Sequence, residues 1–289
     1  MKILKRMLLG LSVALITAIF FMACATMRKS DKQLEKHMQK NGVRYEIVSG
    51  DWEGKPFRYL SYKNGTKPLL VFVHGAPGSS SAFLSLFKDE KLLSDYSLII
   101  PDRPGYGYTA YGKYFDIDKQ SGFLAFLLKN VSDSIPVILN GHSFGAPIAA
   151  KLVMQQKANV KGLVMVGGAI DPSIEKYFFM GKLAYWPATR WMFSKAIQVS
   201  ASEKYDHQNQ LKQMANEWKN IALPVLMIHG DKDWLVPFEN TVFATKNMNN
   251  KFLKVYKWEN ESHFIPFTKP KEMMQLITNW INNSVTTNP

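Results

Sequence analysis

PVILNGHSFGAPIAAKLVMQQ, residues 136–156, decides the fold. Its first half is a continuous apolar run, the pattern of a strand buried on both faces. Its second half is helix-length and rich in Ala, Leu, Met and Gln, all strong helix formers. Between them lies GHSFG, residues 141–145, which has the form G-x-S-x-G. A serine at so sharp a strand-to-helix turn sits in strained backbone. Glycines two before and two after it remove side chains that would clash there. The helix N-terminus behind it offers N–H groups and positive dipole to a developing oxyanion.

The same strand form recurs on either side. LLVFVHG (69–75), SLIIPDRPG (97–105), GLVMVGG (162–168) and PVLMIHGD (224–231) are apolar runs closed by turn residues, and FLKVYKW (252–258) lies beyond them. Tyr45–Val48 and Phe57–Tyr62 are short β-rich runs around a turn at Gly54, Lys55 and Pro56. Helix-length segments such as Phe123–Lys129, Ala146–Gln156 and Glu239–Met248 separate the runs. Alternation of this kind predicts an α/β fold, a mostly parallel sheet with helices on both faces. Ligands bind such sheets at the carboxyl ends of the strands. His74, Gly75, Asp102, Ser143, Asp231 and Asp233 gather at that rim.

A serine hydroxyl needs a base, and the base needs a group that fixes its tautomer. The order Ser…Asp…His is expected downstream of G-x-S-x-G. Asp233 lies 90 residues after Ser143, in GDKDWLVP, and His263 lies 30 further on, in ESHFIPF. Asp231 follows the same strand and is the competing carboxylate. The backbone N–H groups of Ala76, in HGAPGSS (74–80), and of Phe144 are expected to hold the oxyanion. His142 should point away from the nucleophile.

Residues 171–222 follow a strand but hold no strand-like run. They read as a small helical cap over the rim, with aromatics including Tyr177, Phe178, Tyr185, Phe193, Tyr205 and Trp218. Trp186 and Trp191 are five apart, about 140° on an ideal helix, so one should roof the substrate pocket and the other pack on the core.

Composition narrows the class. The chain has 289 residues, 46% hydrophobic and 20% charged, which is ordinary for a globular protein. One cysteine excludes a disulfide scaffold and a cysteine-based metal site. The six histidines show no metal-ligand spacing, so no metal or cofactor is expected. The net charge of +13 is scattered and mostly lysine, which favours a basic surface over a nucleic-acid site.

The N-terminus reads as an export signal. Lys2, Lys5 and Arg6 precede an uncharged stretch from Met7 to Met27. Residues 1–23 are the expected signal peptide. The sequence FMAC, ending at Cys24, resembles the lipobox of bacterial lipoproteins, which implies lipidation of Cys24 and an exported, membrane-tethered protein. An uncleaved transmembrane anchor is the alternative, since 21 uncharged residues can span a bilayer, and ordinary secretion is a third. Residues 24–42 read as a polar tether, and 43–170 with 223–289 as the core.

HGAPG, DRPGYG (102–107), GHSFG, G-x-x-D-x-x-V-P (230–237) and His263, in that order, resemble the α/β-hydrolase fold superfamily. The cap-bearing enzymes with an HG-x-P loop are the nearest group: proline iminopeptidases, esterases and epoxide hydrolases. The resemblance implies a serine hydrolase with a Ser143, His263, Asp233 triad. It also implies a structural rather than catalytic role for Asp102. The serine nucleophile argues against epoxide hydrolase and haloalkane dehalogenase, which use aspartate. The expected substrate is a small carboxylic ester with an apolar part. An aminopeptidase of the proline iminopeptidase type, a carbon–carbon hydrolase, a cofactor-free haloperoxidase and a non-catalytic binding protein are the alternatives.

Overall fold

The computed structural model describes residues 26–156 and 158–285. The expected signal peptide and Cys24 lie outside the described residues. Among the described residues no helix is long and apolar enough to cross a membrane.

Eight strands form one sheet: β1 (Glu46–Trp52), β2 (Lys55–Tyr62), β3 (Leu69–Val73), β4 (Ser97–Pro101), β5 (Val137–His142), β6 (Val160–Val166), β7 (Val225–Gly230) and β8 (Leu253–Trp258). Their order is β1-β2-β4-β3-β5-β6-β7-β8. β1 and β2 pair antiparallel, β2 joins β4 antiparallel, and every pairing from β4 to β8 is parallel. All eight runs read from the sequence are strands.

The continuous apolar runs have a simple cause. Leu69, Val71 and Val73 of β3 enter one core, while Leu70 and Phe72 enter another on the opposite face. Val137 and Leu139 of β5 alternate with Ile138 in the same way, as do Val225 and Met227 of β7 with Leu226 and Ile228. A strand that fills two cores has no polar face to show. At the edge, β8 is largely exposed and mixes lysines with Val255 and Tyr256.

Helices cover both faces: α1 (Asp31–Asn41), α2 (Glu90–Asp95), α3 (Ile117–Leu128), α4 (Gly145–Gln155), α5 (Phe179–Tyr185), α6 (Lys195–Met214), α7 (Asn240–Asn247), α8 (Ile265–Thr268) and α9 (Pro270–Ser284). α3, α4 and the end of α6 pack on the first core, and α1 and α9 on the second.

Residues 26–42 correct the sequence reading of a polar tether. α1 is docked on the fold. Ser30 and Gln33 form a capping box at its start, and Gly42 ends it at φ +63°. Leu34 is fully buried in the second core, and the Tyr45 hydroxyl donates to its carbonyl at 3.1 Å. Arg58 donates to the Lys29 carbonyl and to Asp31, and Arg28 lies over the rings of Tyr108 and Tyr111.

The segment 171–222 runs between β6 and β7 and is helical, with no strand. It holds α5, a 3₁₀ turn at Arg190–Met192, α6 and a second 3₁₀ turn at Trp218–Asn220.

Candidate active site

β5 ends at His142 and α4 begins at Gly145, so Ser143 occupies the turn between them. Its φ is +55°, left-handed for a residue with a side chain. The turn allows no bulk beside it. A Cβ at Gly141 would lie 2.5 Å from the Ala146 Cα, and one at Gly145 would lie 2.3 Å from the Val73 carbonyl oxygen. The Ser143 N–H donates to the Val166 carbonyl at 3.0 Å, and its own carbonyl accepts from Ala146 at 3.0 Å. These bonds hold the strained residue, whose conformation costs on the order of 1–3 kcal/mol.

The N–H groups of Ala76 and Phe144 donate no hydrogen bond to another described residue. Both residues line one cavity with Ser143, and the Phe144 N–H stands at the head of α4. An unpaired amide at a helix N-terminus is an anion-binding group.

Asp233 and His263 come from the loops after β7 and β8. The His263 Nδ1–H donates to Asp233 Oδ2 at 2.7 Å. Asp233 Oδ1 accepts from the N–H groups of Leu235 and Val236 at 3.0 and 2.8 Å, which fixes the carboxylate. Burial by itself would raise the Asp233 pKa. Hydrogen bonds from His229 and His263, the His263 charge and the Val236 N–H outweigh it, holding the carboxyl well below its usual range. His229 Nε2 sits 3.4 Å from Asp233 Oδ2 and donates to the Val236 carbonyl at 3.0 Å, bracing the same loop.

Asp231 has a different job. Its Oδ1 accepts from the Asn260 N–H at 2.7 Å, and Lys257 lies 3.6 Å from its other oxygen. It ties the β7 and β8 loops together at the surface. Asp102 is fully buried and accepts from Arg58, Ser80 and Tyr108. It is a loop-organising residue outside the cavity.

His142 lines the cavity beside Ser143, although the sequence reading turned it away. Its Nε2–H donates to the His263 carbonyl at 3.1 Å. Burial, then the neighbouring His263, pushes its pKa down to about 3, so the ring stays neutral. Among the described residues the Ser143 hydroxyl has no side-chain hydrogen-bond partner; Ser143 and His263 face the same space.

That space is a cavity of about 610 Å³. Its floor includes Gly75, Ala76, Ser143 and His263, and its cap side includes Tyr177, Phe178, Phe193 and Tyr205. Trp186 and Trp191 are corrections. Neither lines the cavity, neither packs in the core, and they are 57% and 69% exposed. Their predicted phase assumed one helix. Trp186 instead ends α5, and Trp191 lies in the separate 3₁₀ turn.

The sequence reading missed the helical face that does line the cavity. Ile197, Ser200, Ala201, Lys204 and Tyr205 of α6 recur at i, i+3, i+4, i+7 and i+8. Two of the five are polar, so the stripe does not read as apolar. Lys204 pairs with Glu175, and burial pushes its ammonium down to about 8.

A buried polar cluster then locks the cap to the floor. Glu203, fully buried on α6, accepts from Arg103 at 2.7 and 3.2 Å, from the Tyr106 hydroxyl at 2.5 Å and from Gln120 at 2.8 Å. Arg103 also donates to the carbonyls of His74 and Gly75, immediately before Ala76. Among the described residues no group of three or more His, Cys, Asp or Glu side chains could hold a metal ion.

Known proteins share this architecture. A family model described as the α/β hydrolase fold matches residues 68–191. "Putative esterase/lipase 1" of Mycoplasma pneumoniae is 22% identical over 252 residues, covering 74% of this chain and 90% of its own. A crystal structure of a "putative lipase" from Acinetobacter baumannii AYE superposes with a TM-score of 0.68 at 18% identity, covering 90% of this chain and 98% of that one. A membrane phospholipase A, described as a bacterial virulence factor, superposes with a TM-score of 0.65 at 19% identity, covering 96% and 98%. By family-model match over residues 68–191, sheet order and strand-to-helix serine turn alike, the chain has the α/β-hydrolase fold.

Proposed function

We propose that the protein is a serine hydrolase that cleaves a carboxylic ester with an apolar acyl or alcohol part. The observation that carries this reading is the shared cavity. A strained Ser143, a His263–Asp233 pair at 2.7 Å and two unpaired backbone N–H groups meet in it.

His263 takes the Ser143 proton as Oγ bonds to the acyl carbon, and the substrate closes the Ser143–His263 hydrogen bond, as is common on binding. Asp233 fixes the Nδ1–H tautomer and stabilises the imidazolium. The Ala76 and Phe144 N–H groups hold the oxyanion, each such donor contributing roughly 3–4 kcal/mol to the transition state. The alcohol leaves with the proton. Water, deprotonated by His263, then releases the acid and restores Ser143.

Aromatic and aliphatic side chains dominate the cap side of the cavity, which suits an apolar group. The buried cap carboxylates Glu175 and Glu203 are already paired with Lys204 and Arg103. The ionic group these pairs leave on the cavity wall is the Lys204 cation rather than a free carboxylate, which does not favour a substrate ammonium. The names of the similar esterase/lipase and phospholipase proteins support the same choice.

The test is an activity screen over p-nitrophenyl esters of graded chain length beside aminoacyl-arylamides, with a fluorophosphonate label. Ester turnover that Ser143→Ala abolishes, with labelling at Ser143 only, is expected. Labelling that persists in Ser143→Ala places the nucleophile elsewhere, and preferential amide turnover replaces the ester reading.

We also propose export and tethering at the membrane through the N-terminal segment, with Cys24 as the lipidation site. Cys24→Ser should block lipid labelling and leave uncleaved precursor; unchanged labelling and migration would sink that assignment.

A further inference from the structure

Six large apolar residues line the cavity and are also 42–49% exposed: Met27, Tyr177, Phe178, Met180, Phe264 and Phe267. Residues that do both mark the mouth. Next to Phe178, Phe179 is 72% exposed. Trp234, 56% exposed, meets the Phe178 ring edge-on at 5.9 Å and continues the patch outward. A folded monomer rarely leaves so many adjacent aromatic side chains in water without a partner for them.

Charge and chain path together select that partner. Residues 176–202 carry four basic side chains and no acidic one, interleaved with aromatics. Aromatic rings with lysine and arginine form the composition that settles at a bilayer surface with anionic lipid. Lys176 sits at the patch itself, its ammonium donating to the Trp234 carbonyl at 2.9 Å, and a second copy would bring the same cation against it, which opposes self-association. Met27 is part of the rim, and its carbonyl accepts from the Ser79 hydroxyl at 2.6 Å. The uncharged run Met7–Met27 therefore reaches the folded domain at the cavity mouth. Cys24 is three residues away, at most about 11 Å of extended chain. A lipid on Cys24 and a membrane anchor ending near Met27 both bring the bilayer to this face.

We propose that the aromatic rim is a membrane-docking face that seats the cavity mouth on an anionic bilayer. This rests on the tethering reading above, not on the ester chemistry. The geometry also gives docking a use: an acyl chain leaving the bilayer enters through the rim, which Phe178 and Phe267 both help to line, without crossing water. Each CH₂ of such a chain would otherwise be exposed to water at a cost in free energy.

The experiment uses the full-length chain reconstituted into phosphatidylglycerol–phosphatidylcholine vesicles. Bromine is carried on the lipid chains near the headgroups, and tryptophan fluorescence is read. Quenching lost in Trp234→Phe is the signal from Trp234. The proposal expects that signal in the wild type. It also expects Phe178→Ser/Phe179→Ser to remove about half of it or more while thermal unfolding stays the same, since both side chains are exposed. Vesicle-bound chain with an unquenched Trp234 overturns docking and leaves tethering intact. Chain that does not associate with vesicles overturns both. Trp234 shielded in a concentration-dependent dimer, without lipid quenching, assigns the face to a second copy instead.

Discussion

Replacing Glu203 by Gln tests the lock between cap and core. The side chain is fully buried and accepts four hydrogen bonds, two of them from Arg103, which is itself only 1% exposed. Gln keeps the shape and one acceptor oxygen but removes the anion. It also turns an NH₂ toward donors on Arg103, Tyr106 or Gln120. The guanidinium is then left buried without its counter-charge. Breaking a buried pair in this way costs about 3–5 kcal/mol. A domain is stable by only about 5–15 kcal/mol, so the loss is a large fraction of the whole.

Urea denaturation followed by tryptophan fluorescence measures it. Arg103→Met/Glu203→Leu is the control, because it removes both charges. The double variant should lose less than Arg103→Met and Glu203→Leu added together, by about 2 kcal/mol or more. Glu203→Gln within about 1 kcal/mol of the wild type, or an additive cycle, would refute the argument that the pair acts as one unit. Activity adds a second readout. Arg103 holds the His74 and Gly75 carbonyls, so a freed guanidinium disturbs the loop that aims the Ala76 N–H.

Asp233→Asn should lower kcat on an ester by up to about 10⁴-fold with the fold intact, because it leaves the wrong His263 tautomer, while Asp231→Asn stays within about tenfold. The reverse pattern would overturn the assignment. Tyr205→Ala should shift the chain-length preference among esters, whereas Trp186→Ala and Trp191→Ala should not, and the screen of graded p-nitrophenyl esters decides between them. Burial holds His142 near a pKa of about 3 against an ordinary 6.5, so between those values the unfolded chain binds a proton that the fold refuses, and stability falls as pH falls. At about pH 4.5 that amounts to about 2–3 kcal/mol, and His142→Gln should remove a loss of that size from denaturation curves compared with about pH 7. An acid-induced loss unchanged in His142→Gln excludes this origin.

What the sequence reveals and what it hides follows from the range of each interaction. The eight strands are legible because a strand filling two cores must be apolar throughout, and that demand is local. The serine turn is legible for the same reason: Gly141, Ser143 and Gly145 answer one steric problem within five residues. α1 is misread because only Leu34 of its eleven residues is buried. Its capping box and terminal Gly42 are the signals that reveal it. The Arg103–Glu203 pair has no local trace at all, since its members are 100 residues apart.

The cap shows how one helix can serve two demands. Ala196, Val199, Glu203 and His207 of α6 are buried, and Ala196 and Val199 pack with Tyr106. Ile197, Ser200, Ala201, Lys204 and Tyr205 turn about 100° from them toward the cavity. Side chains on the first face decide whether the cap stays closed on the sheet. Side chains on the second decide what fits beneath it. The two sets interleave in sequence but separate in space, so the substrate-facing set can change without unfastening the cap. The weakness of the arrangement lies at Glu203 and Lys204, adjacent in sequence and on the two different faces. One holds the guanidinium that braces the His74–Gly75 loop, and the other places a cation on the cavity wall. A shift of α6 that accommodates a larger substrate must therefore move both, and the floor of the site feels a change made in its roof.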